Sequence, residues 1–340
     1  MARLKSSDRI KITDVAQSLG LAPSTVSRAL NGYADINPAT RLKVEEEVRR
    51  VGYFAHSAGR KLRGGRANAV GFVLPPSSYE FADPVFLPFL AGIDAHLRAS
   101  NLQLLVTTAP SAEEELRRIR HMLESHQVDA MILVRVRPDD PRIAYLAERQ
   151  APFSMLGQAG RAARAASVEV DHDEAVRLAV GRLVGLGIRQ IAHINVPGAF
   201  VYGRARQAAF VKSLNQHGIE ARPDWQLEGD LSERGGHAAT QALLAHPERV
   251  GGIICGNDSM AFGAMHALVQ AKLAPGRDVA VIGCDDVPMA ALANPPLTTL
   301  NIAYREIGAR VADNLLRLMA GEDPKELRQR PKPHLVVRQT

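Results

Sequence analysis

The sequence predicts an α/β chain: a small all-α head followed by a larger body built on doubly wound parallel sheets. Three observations carry this prediction. Two short helical patterns within residues 12–31 meet at a glycine-containing turn. The excess positive charge is confined to the first 66 residues. From Ala69 onward, short apolar runs alternate with amphipathic stretches of ten to eighteen residues, the rhythm of strand, helix and parallel strand.

In the head, Ile12, Val15, Ala16 and Leu19 recur at i, i+3, i+4 and i+7 and give one helix an apolar face. Gly20 stops that helix, and Pro23 stands where a new helix tolerates a missing N–H. Val26 and Leu30 then point inward, with Ser24, Ser27 and Arg28 on the opposite side. Two helices joined in this way form a helix-turn-helix, whose second helix enters a DNA major groove. After a polar loop, Asn37-Pro38 supplies an N-cap and a first-turn proline. A third helix is expected over 38–51, with Leu42, Val44 and Val48 apolar and Arg49-Arg50 at the end that favours cations. Gly52 ends it, and residues 53–66 read as a basic, glycine-bearing connector.

Residues 1–66 hold thirteen Lys/Arg against six Asp/Glu, a net +7, while the whole chain carries +6. The remainder is therefore at −1, and the pattern suits a small module that meets a polyanion attached to a body with another task. A chain of 340 residues accommodates two or three domains. No apolar run approaches the ~20 residues of a membrane span, and the N-terminus lacks a signal-peptide core. Cys255 and Cys284 lie in apolar strand-like runs and are expected to be buried thiols. The expected compartment is the cytoplasm, with no membrane partner.

In the body, strands are predicted over 69–74, 102–107, 130–134, 153–156, 190–194, 251–255 and 279–283. Helices are predicted over 86–100, 113–126, 174–186, 204–217, 233–245 and 259–271. The small polar stretch 157–167 is expected to cross between two sheets. Ligands in such folds bind at the carboxyl ends of strands.

Five strings then stand in order: Asp14-Val15-Ala16 with Thr25-Val26-Ser27-Arg28 and Asn31, the run 186–192, Asn257-Asp258-Ser259-Met260-Ala261-Phe262-Gly263, Val281–Asp285, and Pro296-Leu297-Thr298-Thr299. Through them the chain resembles the LacI/GalR family of bacterial transcriptional regulators over essentially its whole length. The resemblance implies a helix-turn-helix head (1–54), a hinge helix (55–66) and a two-lobed body like that of periplasmic sugar-binding proteins (67–340). The N-lobe is expected at about 67–160 and 293–322, and the C-lobe at about 161–292 and 323–340.

The resemblance also assigns roles. Pro23, Ser24 and Arg28 take the base-reading positions, and a guanidinium at Arg28 can bond guanine O6 and N7 together. Thr13, Thr25, Ser27, Asn31 and Tyr33 take phosphate contacts, which set position without reading sequence. Leu62 matches a hinge leucine that wedges into the minor groove, with Arg60 and Lys61 flanking it and His56 nearby in the DNA-contacting hinge. The chain departs from the family at Ala22, where a serine N-cap is usual, at Ala55-His56 in place of Pro-Asn, and at Gly59 in place of alanine. These substitutions suggest a head that orders fully only on its operator.

For the body, the resemblance implies a sugar-like effector held by Arg206, Asn257 and Asp285, with Phe86 and Tyr304 packing on it and Asp83 adding an acceptor. Leu231 stands where some relatives place an aromatic, and Phe200 replaces a polar contact of the purine-binding branch. Each residue also has a structural reading. Arg206 could form an inter-helix ion pair, and Phe86 and Tyr304 could be core. Asn257-Asp258 could cap the following helix, with Asp258 as the expected cap, and Asp285-Asp286 could be a turn pair. Asp171–Glu174 resembles a metal cluster but reads as acids opening a helix. No cofactor, metal or catalytic set is expected, and the chain is not expected to be an enzyme.

The expected function is a homodimeric DNA-binding regulator, a repressor, acting on a pseudo-palindromic duplex under control of a sugar-like effector. The alternatives are a corepressor-type regulator that binds a nucleobase or other metabolite, a solute-binding protein, and an α/β enzyme. Salt-dependent binding to a palindromic duplex separates the regulators from the last two.

Overall fold

The computed structural model describes residues 10–30, 33, 35–51, 66–74, 83–158 and 165–340. Asn31, Ala55, His56, Gly59, Arg60, Lys61 and Leu62, and with them the expected hinge helix, lie outside the described residues. The chain divides into two compact units, Met1–Ala67 and Asn68–Thr340.

The first unit contains α1 (Ile12–Leu19), α2 (Pro23–Leu30) and α3 (Pro38–Val51). Val15, Ala16, Val26, Ala29 and Val44 form its core, with Ile12, Leu19, Leu30 and Val48 packed around them. Gly20 adopts the left-handed conformation (φ 65°), and its N–H bonds back to the carbonyls of Ala16 and Gln17, the turn that α1 needs in order to stop. The Asn37 side chain caps α3 through the Ala39 amide at 2.9 Å. Leu42, one of the apolar residues of the expected third helix, is 58% exposed. Val44, Val48 and Val51 mark the inner face, and a residue two before Val44 falls on the opposite side of the helix.

The second unit has two six-stranded sheets. The first runs in the order β11-β5-β4-β3-β1-β2 and is parallel throughout. Its strands are β1 (Ala69–Leu74), β2 (Gln103–Thr108), β3 (Ala130–Leu133), β4 (Phe153–Leu156), β5 (Ala166–Val168) and β11 (Arg328–Gln329). The second sheet runs β12-β10-β9-β8-β6-β7, with only β10 and β12 antiparallel. It comprises β6 (Ile191–Asn195), β7 (Gln226–Glu228), β8 (Gly252–Cys255), β9 (Ala280–Asp285), β10 (Thr298–Asn301) and β12 (His334–Val336). Strands such as β1 and β8 are buried at every position, as a sheet covered on both faces requires.

The helices of this unit are α4 (Phe86–Ala99), α5 (Ala112–Glu124), α6 (Pro141–Glu148), α7 (His172–Gly185), α8 (Val201–Gln216), α9 (Glu233–Leu244), α10 (Asp258–Gln270), α11 (Pro288–Leu292) and α12 (Tyr304–Met319). Helices α4 and α12 pack closely through Gly92 and Gly308. A Cβ on Gly92 would lie 2.0 Å from the Arg305 carbonyl oxygen, and one on Gly308 would lie 2.1 Å from that of Phe89. This approach puts Phe86 and Tyr304, the first residues of the two helices, beside the same cavity.

The lobe boundaries differ from those expected. The stretch 157–167 does not carry the chain across: β5 pairs with β4 at Ser154–Ala166 and Leu156–Val168, so the crossing follows Val168 rather than 161. Thr298–Asn301 still pairs with β9, which moves the return from 293 to beyond Asn301. Arg328–Gln329 rejoins the first sheet before β12 enters the second. Strands of two to four residues have too little periodicity to announce themselves, and which sheet they join is decided by pairing partners distant in sequence.

Candidate functional site

On the head, the α2 residues predicted to read bases, Pro23, Ser24 and Arg28, are exposed, while Thr25 and Ser27, predicted to meet phosphates, are half-buried. Thr13 and Tyr33 are exposed as well. The Arg28 guanidinium pairs with Asp35 and lies 5.4 Å from the centre of the Tyr33 ring, while Arg41 donates to the Tyr33 carbonyl at 2.8 Å. The loop after α2 thus holds the one long cationic side chain of that helix over its outer surface.

In the second unit, the carboxyl ends of strands from both sheets converge on one cavity. All six predicted effector residues line it: Asp83, Phe86, Arg206, Asn257, Asp285 and Tyr304. Phe89, Val134, Val196 and Leu231 add apolar wall.

Arg206, on the first turns of α8, is 6% exposed. It donates to the Gly256 carbonyl at 2.5 Å, to Nδ1 of His172 at 3.3 Å and to Sγ of Cys284 at 3.4 Å. None of these partners is a carboxylate, so the ion-pair reading of Arg206 does not describe it. Burial, and then the charge of Arg206, hold His172 well below the usual histidine range. His172 therefore presents a neutral Nδ1 acceptor, with its proton on Nε2.

Asp285 ends β9 with φ 129° and is followed by Asp286 at φ 57°, a strained pair of the kind that costs about 1–3 kcal/mol per residue. The strain sends the two carboxylates to different places. Asp286 accepts from Asn301 and Arg338. Asp285 lines the cavity and accepts from the Tyr304 hydroxyl at 2.9 Å. Burial, and then Asp258 and Asp83, hold the Asp285 carboxyl well above the usual range.

One expectation about the Asn257-Asp258 pair is reversed. Asn257, not Asp258, caps α10: its Oδ1 accepts from the Met260 amide at 2.8 Å while its Nδ2 donates to the Leu231 carbonyl at 3.0 Å. One side-chain N–H remains to face a ligand. Asp258 is fully buried, accepting from the Thr299 hydroxyl and from the Val287 amide, and burial pushes it up to about 6. A raised acid binds its proton more tightly folded than unfolded, so its contribution favours folding at low pH and is lost as pH rises through about 6. Asp258→Asn should therefore stabilise the chain, relative to wild type, by about 2–3 kcal/mol more near pH 7 than near pH 4. Urea unfolding at the two pH values checks this, and a pH-independent difference would refute it.

Three polar side chains of the cavity lie outside the predicted set: Arg135, His172 and Tyr202. Arg135 lies two residues beyond β3 and forms an ion pair with Asp83 at 3.1 Å. Tyr202 stacks on Phe200 at 5.6 Å and sits 5.5 Å from the Arg206 guanidinium. Arg135 could have been found, because the strand-end rule that picks out Asn257 applies equally after β3. His172 and Tyr202 emit no such signal.

Donors at Arg206, Arg135 and Asn257 thus share apolar walls with acceptors at Asp285 and Asp83. Such a cavity can bond several hydroxyls of a ligand while packing on its apolar face. Asp171–Glu174 opens α7, with Asp171 capping it through the Glu174 amide at 3.1 Å. Among the described residues, no group of three or more His, Cys, Asp or Glu could hold a metal ion, and no helix is long and apolar enough to cross a membrane.

Residues 11–55 match the family model described as bacterial regulatory proteins, lacI family, and residues 180–340 match a periplasmic binding protein-like domain. The chain is 33% identical over 324 residues to the HTH-type transcriptional regulator AglR of Rhizobium meliloti (strain 1021), covering 93% of this chain and 90% of that one. It is 29% identical to the HTH-type transcriptional regulator CelR of Thermobifida fusca, with 96% of each chain covered. Among solved structures, it resembles a lac repressor dimer bound to operator and the anti-inducer ONPF (TM-score 0.83, 27% identity, 98% and 99% covered). It also resembles a CelR–cellobiose complex (TM-score 0.76, 28% identity, 97% and 99% covered).

Proposed function

Because this chain belongs to the lacI family of bacterial regulatory proteins, we propose that its cleft binds a sugar-like effector that controls operator binding by the head. The chain is a DNA-binding transcriptional regulator. It works as a homodimeric repressor in the cytoplasm, without enzymatic activity, on a pseudo-palindromic duplex whose halves mirror the protein's two-fold axis. The observation that carries the effector reading is the convergence of Arg206, Asp285 and Asp83 on one apolar-walled cavity. A relative whose structure holds cellobiose supports a saccharide in that place.

Within the head, Arg28 reads a guanine, Pro23 and Ser24 meet neighbouring base edges, and Thr13, Thr25, Ser27, Asn31 and Tyr33 meet phosphates. His56, Arg60, Lys61 and Leu62 act at the minor groove between half-sites. Selection from a random duplex library, followed by anisotropy at fixed salt, tests this. A palindrome should emerge, bound with strong salt dependence. Arg28→Ala should weaken the selected duplex by roughly 5–150-fold, equivalent to about 1–3 kcal/mol, and a scrambled duplex far less. Equal weakening on both duplexes would assign Arg28 to the phosphates.

A further inference from the structure

Residues 134–142 leave the carboxyl end of β3 and bring Arg135 to the cavity. Arg135 has left-handed backbone (φ 51°), a conformation that a non-glycine residue keeps only where its surroundings impose it. The imposing group is Arg142, which is 1% exposed. One of its nitrogens donates to the carbonyls of Val134 and Arg135 at 3.1 and 3.2 Å. The same nitrogen also donates to Asp140 at 2.6 Å, while Nε donates to Asp140 and the remaining nitrogen to Glu115.

Held in this way, the Arg135 guanidinium lies 5.4 Å from the Phe86 ring centre and 5.9 Å from that of Phe200. Phe86 opens α4 beside the first sheet, and Phe200 precedes α8 beside the second. The next residue repeats the bridge: the Val136 carbonyl accepts from the Val201 amide at 2.9 Å. The cation therefore touches a ring from each lobe, and a backbone hydrogen bond ties the same loop across.

We propose that Arg135 is the latch that holds the two lobes together, and that the buried Arg142–Asp140–Glu115 cluster is its positioning device. Because Arg135 also lines the cavity, effector occupancy and lobe closure act on a single side chain. This regulatory consequence rests on reading the cleft as the effector site, whereas the latch itself does not.

The test uses the full-length protein without any sugar. Hydrogen exchange is followed at residues 200–203 in wild type, Arg135→Gln and Phe200→Leu. Both variants should exchange at least ~10-fold faster at the Val201 amide, with β8 and β9 unchanged, because local opening there no longer has to break the latch. Unchanged exchange at Val201 in both Arg135→Gln and Phe200→Leu overturns the latch. If Arg135→Gln loses protection throughout, Phe200→Leu alone decides. Sugar-free operator affinity should also shift at least ~3-fold in Arg135→Gln, and an unchanged value overturns the regulatory role. Failure of every sugar to bind would defeat the effector reading and leave the exchange result standing.

Discussion

Replacing Arg142 with methionine is expected to cost about 3–5 kcal/mol of unfolding free energy, the usual consequence of removing one partner from a buried ion cluster. Arg142 is among the largest fully buried side chains of the body, and Glu115 is 0% and Asp140 4% exposed. Methionine would leave both carboxylates in a dry interior without their guanidinium. The two acids already respond differently to the site. Burial prevails at Glu115, which titrates above the ordinary glutamate range. At Asp140, the hydrogen bonds and charge of Arg142 outweigh burial and hold it below its ordinary value.

Without Arg142, each carboxyl should favour its protonated form, so the loss should shrink as pH falls and grow as it rises. Denaturant unfolding of the full chain near pH 5 and pH 8 checks both magnitude and sign. A loss under about 1 kcal/mol would show that this cluster relaxes or hydrates when broken. Arg137, which reaches Glu115 at 3.5 Å from a more exposed position, is the side chain best placed to compensate.

Asp285→Ala should weaken the response to sugar sharply. Titration calorimetry with the sugar that gives the largest thermal shift on wild type should show affinity falling by roughly 10–150-fold, as expected for lost hydrogen bonds to a charged group. The alanine also relieves a buried acid, so the unliganded variant should be no less stable than wild type near pH 7. A simple folding defect would not combine retained stability with lost binding. A thermal shift that survives the substitution would remove Asp285 from the site. The wild-type response should also strengthen as pH rises, because burial holds Asp285 well above the ordinary range and the ionised form is the better acceptor for hydroxyls.

The three head helices and most of the long elements of the body were readable from local pattern. β1 and β4 fall on the residues expected, and α3 spans its predicted range from Pro38 to Val51. In these segments the signal lies within the element itself: apolar spacing, a stopping glycine, a first-turn proline. Helix α12 lies outside the predicted set although its apolar face is regular, with Ile307, Val311 and Leu315 all buried. The strands β5, β7, β10, β11 and β12 also lie outside the predicted set, each four residues long or fewer. Asn257 shows a subtler limit, because the sequence allows either residue of the Asn-Asp pair to cap α10. Only the fold shows that Asp258 is occupied by Thr299 and Val287.

By itself, the sequence determined that a basic helix-turn-helix precedes a body of strand-helix alternation, and its short strings carry the resemblance that implied six residues which share one cavity. Those features depend on periodicity, charge and short strings, which act over a few residues. The tertiary structure alone decided where the chain crosses between sheets, that Arg206 bonds neutral acceptors rather than a carboxylate, and that Arg135 joins the cavity. These outcomes arise from contacts between residues far apart in the chain, such as Arg206 with Cys284 and Val136 with Val201. No local pattern encodes them, because each partner's position exists only once the sheets have formed.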